Sequence, residues 1–275
     1  MMIASDSLTW ERVIDGETPA TLRRTAILVV ASVLVAASSS AFAGVEIHDP
    51  LVGDRPDFTE STETIAPRRV QLEAGATAES GDVDVLAIGE SLIRFGLARR
   101  WELRVGANSW VSVDSPSGDD SGFDDPSLAA KVRFNPDGEG LAVGLLFGST
   151  LAVGDDDIGA PDEQPFIKLL LSGEFTPDLS WGANAGYTRA SESGGRFDQL
   201  SGSFSLGVGI SERLGAFAEI YGFSEESEGG DTSTYGDTGL TYLLSDNLQV
   251  DARIGSGISG NDVDFFFGGG VVKRW

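Results

Sequence analysis

The sequence predicts an all-β protein, an up-and-down antiparallel transmembrane β-barrel of about twelve strands preceded by a cleaved signal peptide. Three observations predict it. An export signal lies near the N-terminus, period-two alternation runs through the remainder, and the chain stops on the aromatic Trp275.

The export signal comes first. Arg23 and Arg24 precede an apolar run from Ala26 to Ala37, then Ser38, Ser39 and Ser40, then Ala41-Phe42-Ala43. The apolar run is shorter than the roughly 20 residues of a membrane-spanning helix, and the closing A-x-A fits cleavage after Ala43. Residues 1–43 are therefore assigned to a signal peptide with an unusual N-terminal extension. Asp6, Glu11, Asp15 and Glu17 do not suit a signal's basic start, which fits a start codon placed too far upstream. The arginine pair lacks the surroundings of a twin-arginine signal, so the general secretion route is expected.

After the signal, no helical spacing of apolar residues persists. Val70-Gln71-Leu72-Glu73-Ala74-Gly75-Ala76-Thr77 alternates apolar with mostly polar residues, and Trp101-Glu102-Leu103-Arg104-Val105-Gly106-Ala107-Asn108 does so with opposite parity. One face of such a strand meets lipid and the other meets water. Further segments follow at 83–97, 126–135, 141–152, 165–176, 180–190, 199–210, 215–224, 234–244, 248–257 and 264–275. Their connections alternate between short turns and longer loops, the latter at roughly 113–125, 153–164, 191–198, 225–233 and 258–263. Short turns belong to the periplasmic rim and long loops to the cell exterior. The barrel proper is assigned to residues 68–275.

Aromatic residues near the strand ends fit membrane girdles: Trp101, Trp181 and Tyr242 near short turns, Trp110, Tyr187 and Tyr235 near long loops. Phe265, Phe267, Val271 and Trp275 form the alternating apolar pattern expected of a barrel-assembly signal, interrupted by Lys273. Outer-membrane lipid and the assembly machinery are the partners this pattern implies.

Composition excludes other classes. Among 275 residues, 43 acidic and 19 basic side chains give a net charge of −24, which repels nucleic acid. Without cysteine there are no disulfides and no thiolate chemistry. The single histidine, His48, precedes the first strand, and there is no G-x-S-x-G elbow or H-E-x-x-H helix. No enzyme activity, cofactor or metal is expected.

Asp54-Arg55-Pro56-Asp57-Phe58-Thr59-Glu60-Ser61 and Arg69-Val70-Gln71-Leu72-Glu73 resemble the opening of a family of outer-membrane transporters named for the meta-cleavage (MetA) pathway of phenol degradation. Glu90 to Leu97, Trp101 to Gly106, Asp237 to Tyr242, Leu248 to Asp251 and Asp264 to Gly270 are similar to it as well. The resemblance implies a barrel in the bacterial outer membrane, without naming a cargo.

Strand parity turns Glu73, Glu90, Arg94, Glu102, Arg104, Lys131, Arg133, Lys168, Glu174, Glu219, Asp237, Asp251 and Arg253 toward the lumen. Facing lipid, an Arg or Lys at the midplane would cost roughly 2–4 kcal/mol. Interleaved signs favour a cross-lumen ion-pair network over the alternative, an aqueous selectivity path. Residues 44–67 are too polar for a strand, and a periplasmic tail is the expectation. The alternative is a plug using Arg55, Asp57 and Glu60. The acidic loops, including Asp114, Asp119, Asp120, Asp124 and Asp125, read as solvated surface. The expected function is a passive channel for small molecules, and hydrophobic or aromatic ones are what the family resemblance alone implies. A non-conducting structural or surface-binding barrel is the alternative.

Overall fold

A computed structural model describes residues 51–135, 140–261 and 263–275, so the expected signal peptide, residues 1–43, and His48 lie outside the described residues. Fifteen strands follow in order: β1 (Val70–Gly81), β2 (Asp84–Ile88), β3 (Leu92–Ala98), β4 (Trp101–Gly106) and β5 (Trp110–Ser115). Next come β6 (Gly118–Phe123), β7 (Ser127–Arg133), β8 (Ala142–Thr150), β9 (Gln164–Thr176) and β10 (Leu179–Glu192). The last are β11 (Gly195–Gly209), β12 (Leu214–Phe223), β13 (Ser233–Ser245), β14 (Leu248–Ser259) and β15 (Val263–Arg274).

β1, β3, β4 and β7 to β15 close into an antiparallel barrel of twelve strands, with β1 hydrogen-bonded to β15. At the seam the Trp275 amide donates to the Val70 carbonyl at 2.9 Å, and the Val70 amide donates to Trp275 at 3.3 Å. Closure leaves no free sheet edge around this ring.

The other three strands correct the expected segmentation. The predicted strand 83–97 is two, because Gly89, at φ 92°, breaks it. β1 therefore pairs with β3 through Val70–Glu73 and with β2 through Ala76–Glu79. The predicted loop 113–125 holds most of the β5–β6 hairpin, which extends from β2. Its polar run Asp119-Asp120-Ser121 is water-exposed, so the alternation that marks a half-buried strand is missing. The free side of β6 is tied to the loop 151–163. Asp155 Oδ2 accepts the Phe123 amide at 2.8 Å, and Asp125 accepts the amides of Val153, Gly154 and Ala160 at 2.7–3.0 Å. The predicted loop 191–198 is likewise mostly strand, since β10 and β11 pair continuously from Leu179↔Val208 to Glu192↔Gly195.

Outward positions carry the apolar belt that lipid requires. On β11, Leu200, Phe204, Leu206 and Val208 are exposed, while Phe197 and Ser205 turn inward and are buried. Trp101, Trp110 and Tyr242 stand exposed near strand ends as expected of girdles, while Tyr187 is exposed but lies within β10, which continues to Glu192. Tyr235 does not: it is 1% exposed and points into the lumen. It shares the inward parity of Asp237 two residues on, and parity overrides nearness to a loop.

Candidate functional site: the filled lumen

Residues 51–67 run inside the barrel rather than as a periplasmic tail. Gly53 packs against Val272, and the Val52 carbonyl accepts from Gln71 Nε2 at 2.9 Å, near the periplasmic rim. The chain rises to an apex at Phe58 and Thr59, whose amides each donate to a Glu219 carboxylate oxygen at 2.6 Å. It then descends past Ser172, which meets Thr62 at 2.6 Å, and Arg99, whose carbonyl accepts from Thr64 Oγ1 at 3.2 Å. Ile65 and Ala66 lie so close to Gly96 that a Cβ there would collide with their carbonyls.

One wall of the lumen, built by β1, β3, β4 and β7, holds this segment by charge. Asp54 Oδ2 lies 2.6 Å from Arg104 Nη1, 2.8 Å from Lys131 Nζ and 3.2 Å from Arg94 Nη1. Arg94 also binds Glu73 at 2.9 Å and Glu102 at 2.8 Å, and all three side chains are fully buried. Glu102 Oε2 accepts the Ile65 amide at 2.7 Å, and Glu73 accepts the amides of Asp54 and Arg55 at 3.0–3.2 Å. Arg104 Nη2 meets Glu60 at 2.8 Å, and Arg133 pairs with Glu63. In a hydrogen-bonded network of this kind opposite charges and backbone donors offset much of the cost of burying each charge.

The adjoining wall, β12 to β15, which meets β1 at the seam, makes looser charge contacts. Arg55, seated over the β1–β15 seam, lies 3.2 Å from Glu90 but 3.6 Å from Asp251, and Arg253 lies 3.7 Å from Asp237. The carboxylate oxygens of Asp237 and Asp251 are buried without a protein hydrogen bond. Contacts at this range leave room for bridging water. Glycine makes the seat for Arg55, whose guanidinium lies where a Cβ on Gly75 or Gly270 would be.

Aromatic rings complete the site. Phe58 stacks on Tyr221 with centroids 4.6 Å apart and planes 12° from parallel, and Tyr221 stacks on Tyr235 at 5.1 Å and 18°. Phe223 meets all three rings at 72–86°, edge to face. Lys168 Nζ sits 5.0 Å from the Phe58 centroid and 3.9 Å from Glu60. A second apolar cluster, Ala129, Leu146 and Leu170 with Phe166, lies on inward positions of β7, β8 and β9.

Twelve of the thirteen residues assigned to the lumen contact the inner segment or one another as described above. Glu174 keeps the inward parity but stands exposed near the end of β9, beyond the network. Asp57 corrects the expected plug contacts. It lies with acids, its Oδ2 accepting from Ser205 at 3.3 Å, while Arg55 and Glu60 pair with wall charges. Phe265, Phe267 and Trp275 are exposed on the outer face, with Lys273 Nζ 6.0 Å from the Trp275 ring. Sequence reasoning missed Asp54, the hub, and the rings of Phe58, Tyr221 and Phe223. Tyr221 was within reach, since it lies two residues from Glu219 and shares its parity.

A closed barrel with an apolar exterior, a charged interior and an N-terminal segment in its lumen belongs to the outer-membrane type of β-barrel. Residues 53–275 match the family described as "Putative MetA-pathway of phenol degradation", and the chain belongs to it. The fold is similar to that of an outer-membrane channel from Pseudomonas putida F1, at 11% identity and TM-score 0.63, covering 84% of this chain and 100% of that one. The NanC porin is similar at 12% identity and TM-score 0.54, covering 74% and 98%. No curated protein sequence matches the chain.

Proposed function

We propose that this chain is a passive outer-membrane channel for small apolar or aromatic molecules, with residues 51–67 as its internal stopper. One observation carries this reading: much of the wall's buried charge is matched by a segment that enters and leaves through the periplasmic end. A pillar would neutralise its wall charges within the wall. Family membership and the fold shared with an outer-membrane channel support the reading, and the family's link to phenol degradation supports the cargo class. The rings and aliphatic clusters inside the lumen give such cargo apolar surface.

The density of ion pairs on Asp54 favours a second reading, a barrel that stays closed and acts as a structural or surface-binding element. Planar-bilayer conductance separates the two. The channel reading expects small openings from the full chain and larger ones from Asp54→Ala, which loosens the stopper. If both are silent and loaded liposomes retain their solutes, the channel reading fails.

Export by the general secretion route and residence in the outer membrane belong to the same proposal. So does recognition of Phe265, Phe267, Val271 and Trp275 by the assembly machinery. No catalytic role is proposed. Among the described residues no group of acids and histidine has the geometry of a metal site.

A further inference from the structure

We infer that Tyr221, Phe223 and Tyr235 form a binding slot for a neutral aromatic ring, and that Phe58 of the inner segment is its built-in occupant. The inference rests on the channel reading for its cargo, and on ring geometry for the site itself.

The three wall rings are set by the barrel. Tyr221 and Tyr235 are directly paired across β12 and β13, and Phe223 is paired with Ser233 at the end of the same ladder. Tyr221 and Tyr235 are 7% and 1% exposed, and the Tyr235 hydroxyl donates to Glu226 Oε2 at 2.7 Å. Strand pairing and this hydrogen bond fix them independently of the segment. Phe58 arrives from far away in sequence and is only partly buried. It nonetheless makes a near-parallel stack with Tyr221 and an edge contact with Phe223, the two arrangements aromatic pairs prefer. The wall offers one stacking face and one edge, and a free ring could use both as Phe58 does.

The surroundings select the ring's chemistry. Glu219 accepts the Phe58 amide, Asp237 is paired with Glu219 across β12 and β13, and Glu226 accepts the Tyr235 hydroxyl, so a ring bearing a carboxylate meets a rim of acidic oxygens. Lys168 lies over the face of Phe58, which favours an electron-rich π-system, and the other nearby cation, Arg253, is turned to the face of Phe266 on the far side of the cluster. A neutral phenol fits both conditions. Its entry requires Phe58 to leave, and the amides of Phe58 and Thr59 then come off Glu219. Binding at the slot and loosening of the stopper's apex are therefore one event.

The test uses the full chain in lipid nanodiscs, 4-fluorophenol as the probe, and ¹⁹F NMR to follow it, with 4-fluorobenzoate as the charged control. If Phe58 fills the slot about nine-tenths of the time, Phe58→Ala binds the phenol about tenfold more tightly than the unaltered chain. The bound signal shifts upfield from the ring currents, and the benzoate gives none. Phe58→Leu, which keeps apolar volume, gives a smaller gain and serves if the alanine variant does not fold, as judged by heat-modifiable electrophoretic migration. Adding Tyr221→Leu to either variant abolishes the gain. The inference is overturned if the folded variants bind the phenol no better than the unaltered chain. Persistence of the gain without Tyr221, or equal binding of the benzoate, also overturns it. Conductance of the same variants keeps the two readings apart. Conductance without phenol binding removes the slot and leaves the channel, while binding without conductance does the reverse.

Discussion

The two walls of the lumen hold the same segment by different physics. On β3, β4 and β7, the buried side chains of Arg94, Arg104 and Lys131 grip the Asp54 carboxylate at 2.6–3.2 Å. On β12 to β15, stacked rings and one forked carboxylate receive Phe58 and Thr59, and nearby charges stand 3.6–3.7 Å apart. Buried charges that lose a partner are left with the full cost of desolvation, whereas one ring can replace another at little cost. The segment thus has a fixed foot and an exchangeable apex.

The largest effect expected is at the foot. Asp54→Ala strips Arg94, Arg104 and Lys131 of a shared partner, and breaking a buried ionic cluster in this way costs about 3–5 kcal/mol. Urea unfolding in detergent micelles reads it, and an unchanged midpoint would break the comparison. Glu219→Gln at the apex replaces one acceptor oxygen with an amide that cannot accept, leaving one N–H unmet at about 1–3 kcal/mol. A loss equal to that of Asp54→Ala would erase the difference between the walls.

A pair of glycine changes sharpens it further. At Gly96 a Cβ meets the backbone carbonyls of Ile65 and Ala66, which cannot yield without moving the segment, so Gly96→Ala costs about 1–3 kcal/mol. At Gly75 the obstacle is the flexible guanidinium of Arg55. Gly75→Ala pushes it from Glu90 and Asp251, a smaller cost than at Gly96 because a side chain can re-seat where backbone cannot. The same denaturation measurement ranks the two, and the reverse order contradicts the contrast between unyielding backbone and flexible side chain.

The smallest effect lies outside the lumen. Asp119, directly across the β5–β6 hairpin, and then Asp84 raise the carboxyl of Asp114 above its ordinary range. A raised carboxyl in the folded hairpin means that the tip gains stability as pH falls through that range and loses it as pH rises. Asp119→Asn lowers the Asp114 titration, which carbon-13 NMR of the side chain follows. An unmoved titration shows that the tip is not closed in this way.

Strand number, parity and inward charge were legible in the sequence because lipid on one side and a charged interior on the other impose a strict period of two. Lys131, Arg133 and Glu102 could be placed by counting alone. Where that contrast ends, legibility ends with it. Gly118 to Phe123 and Ser191 to Asp198 extend where the apolar alternation fails, so these strands looked like loops. The inner segment has no period at all. Its position follows from charge matching across more than a hundred residues of chain, as between Thr59 and Glu219, which no local pattern reports.

Phe58 is a ligand on a tether, held on either side by Asp54 and by Thr62 and Glu63. Short tethers present their ligand at an effective concentration on the order of millimolar or above. A free ring of equal intrinsic affinity shares the slot only when its own concentration approaches that level. For the slot inferred above, the length and anchoring of this tether thereby set the dose at which a free ring displaces Phe58, and a mutation far from any ring resets that dose by slackening the tether.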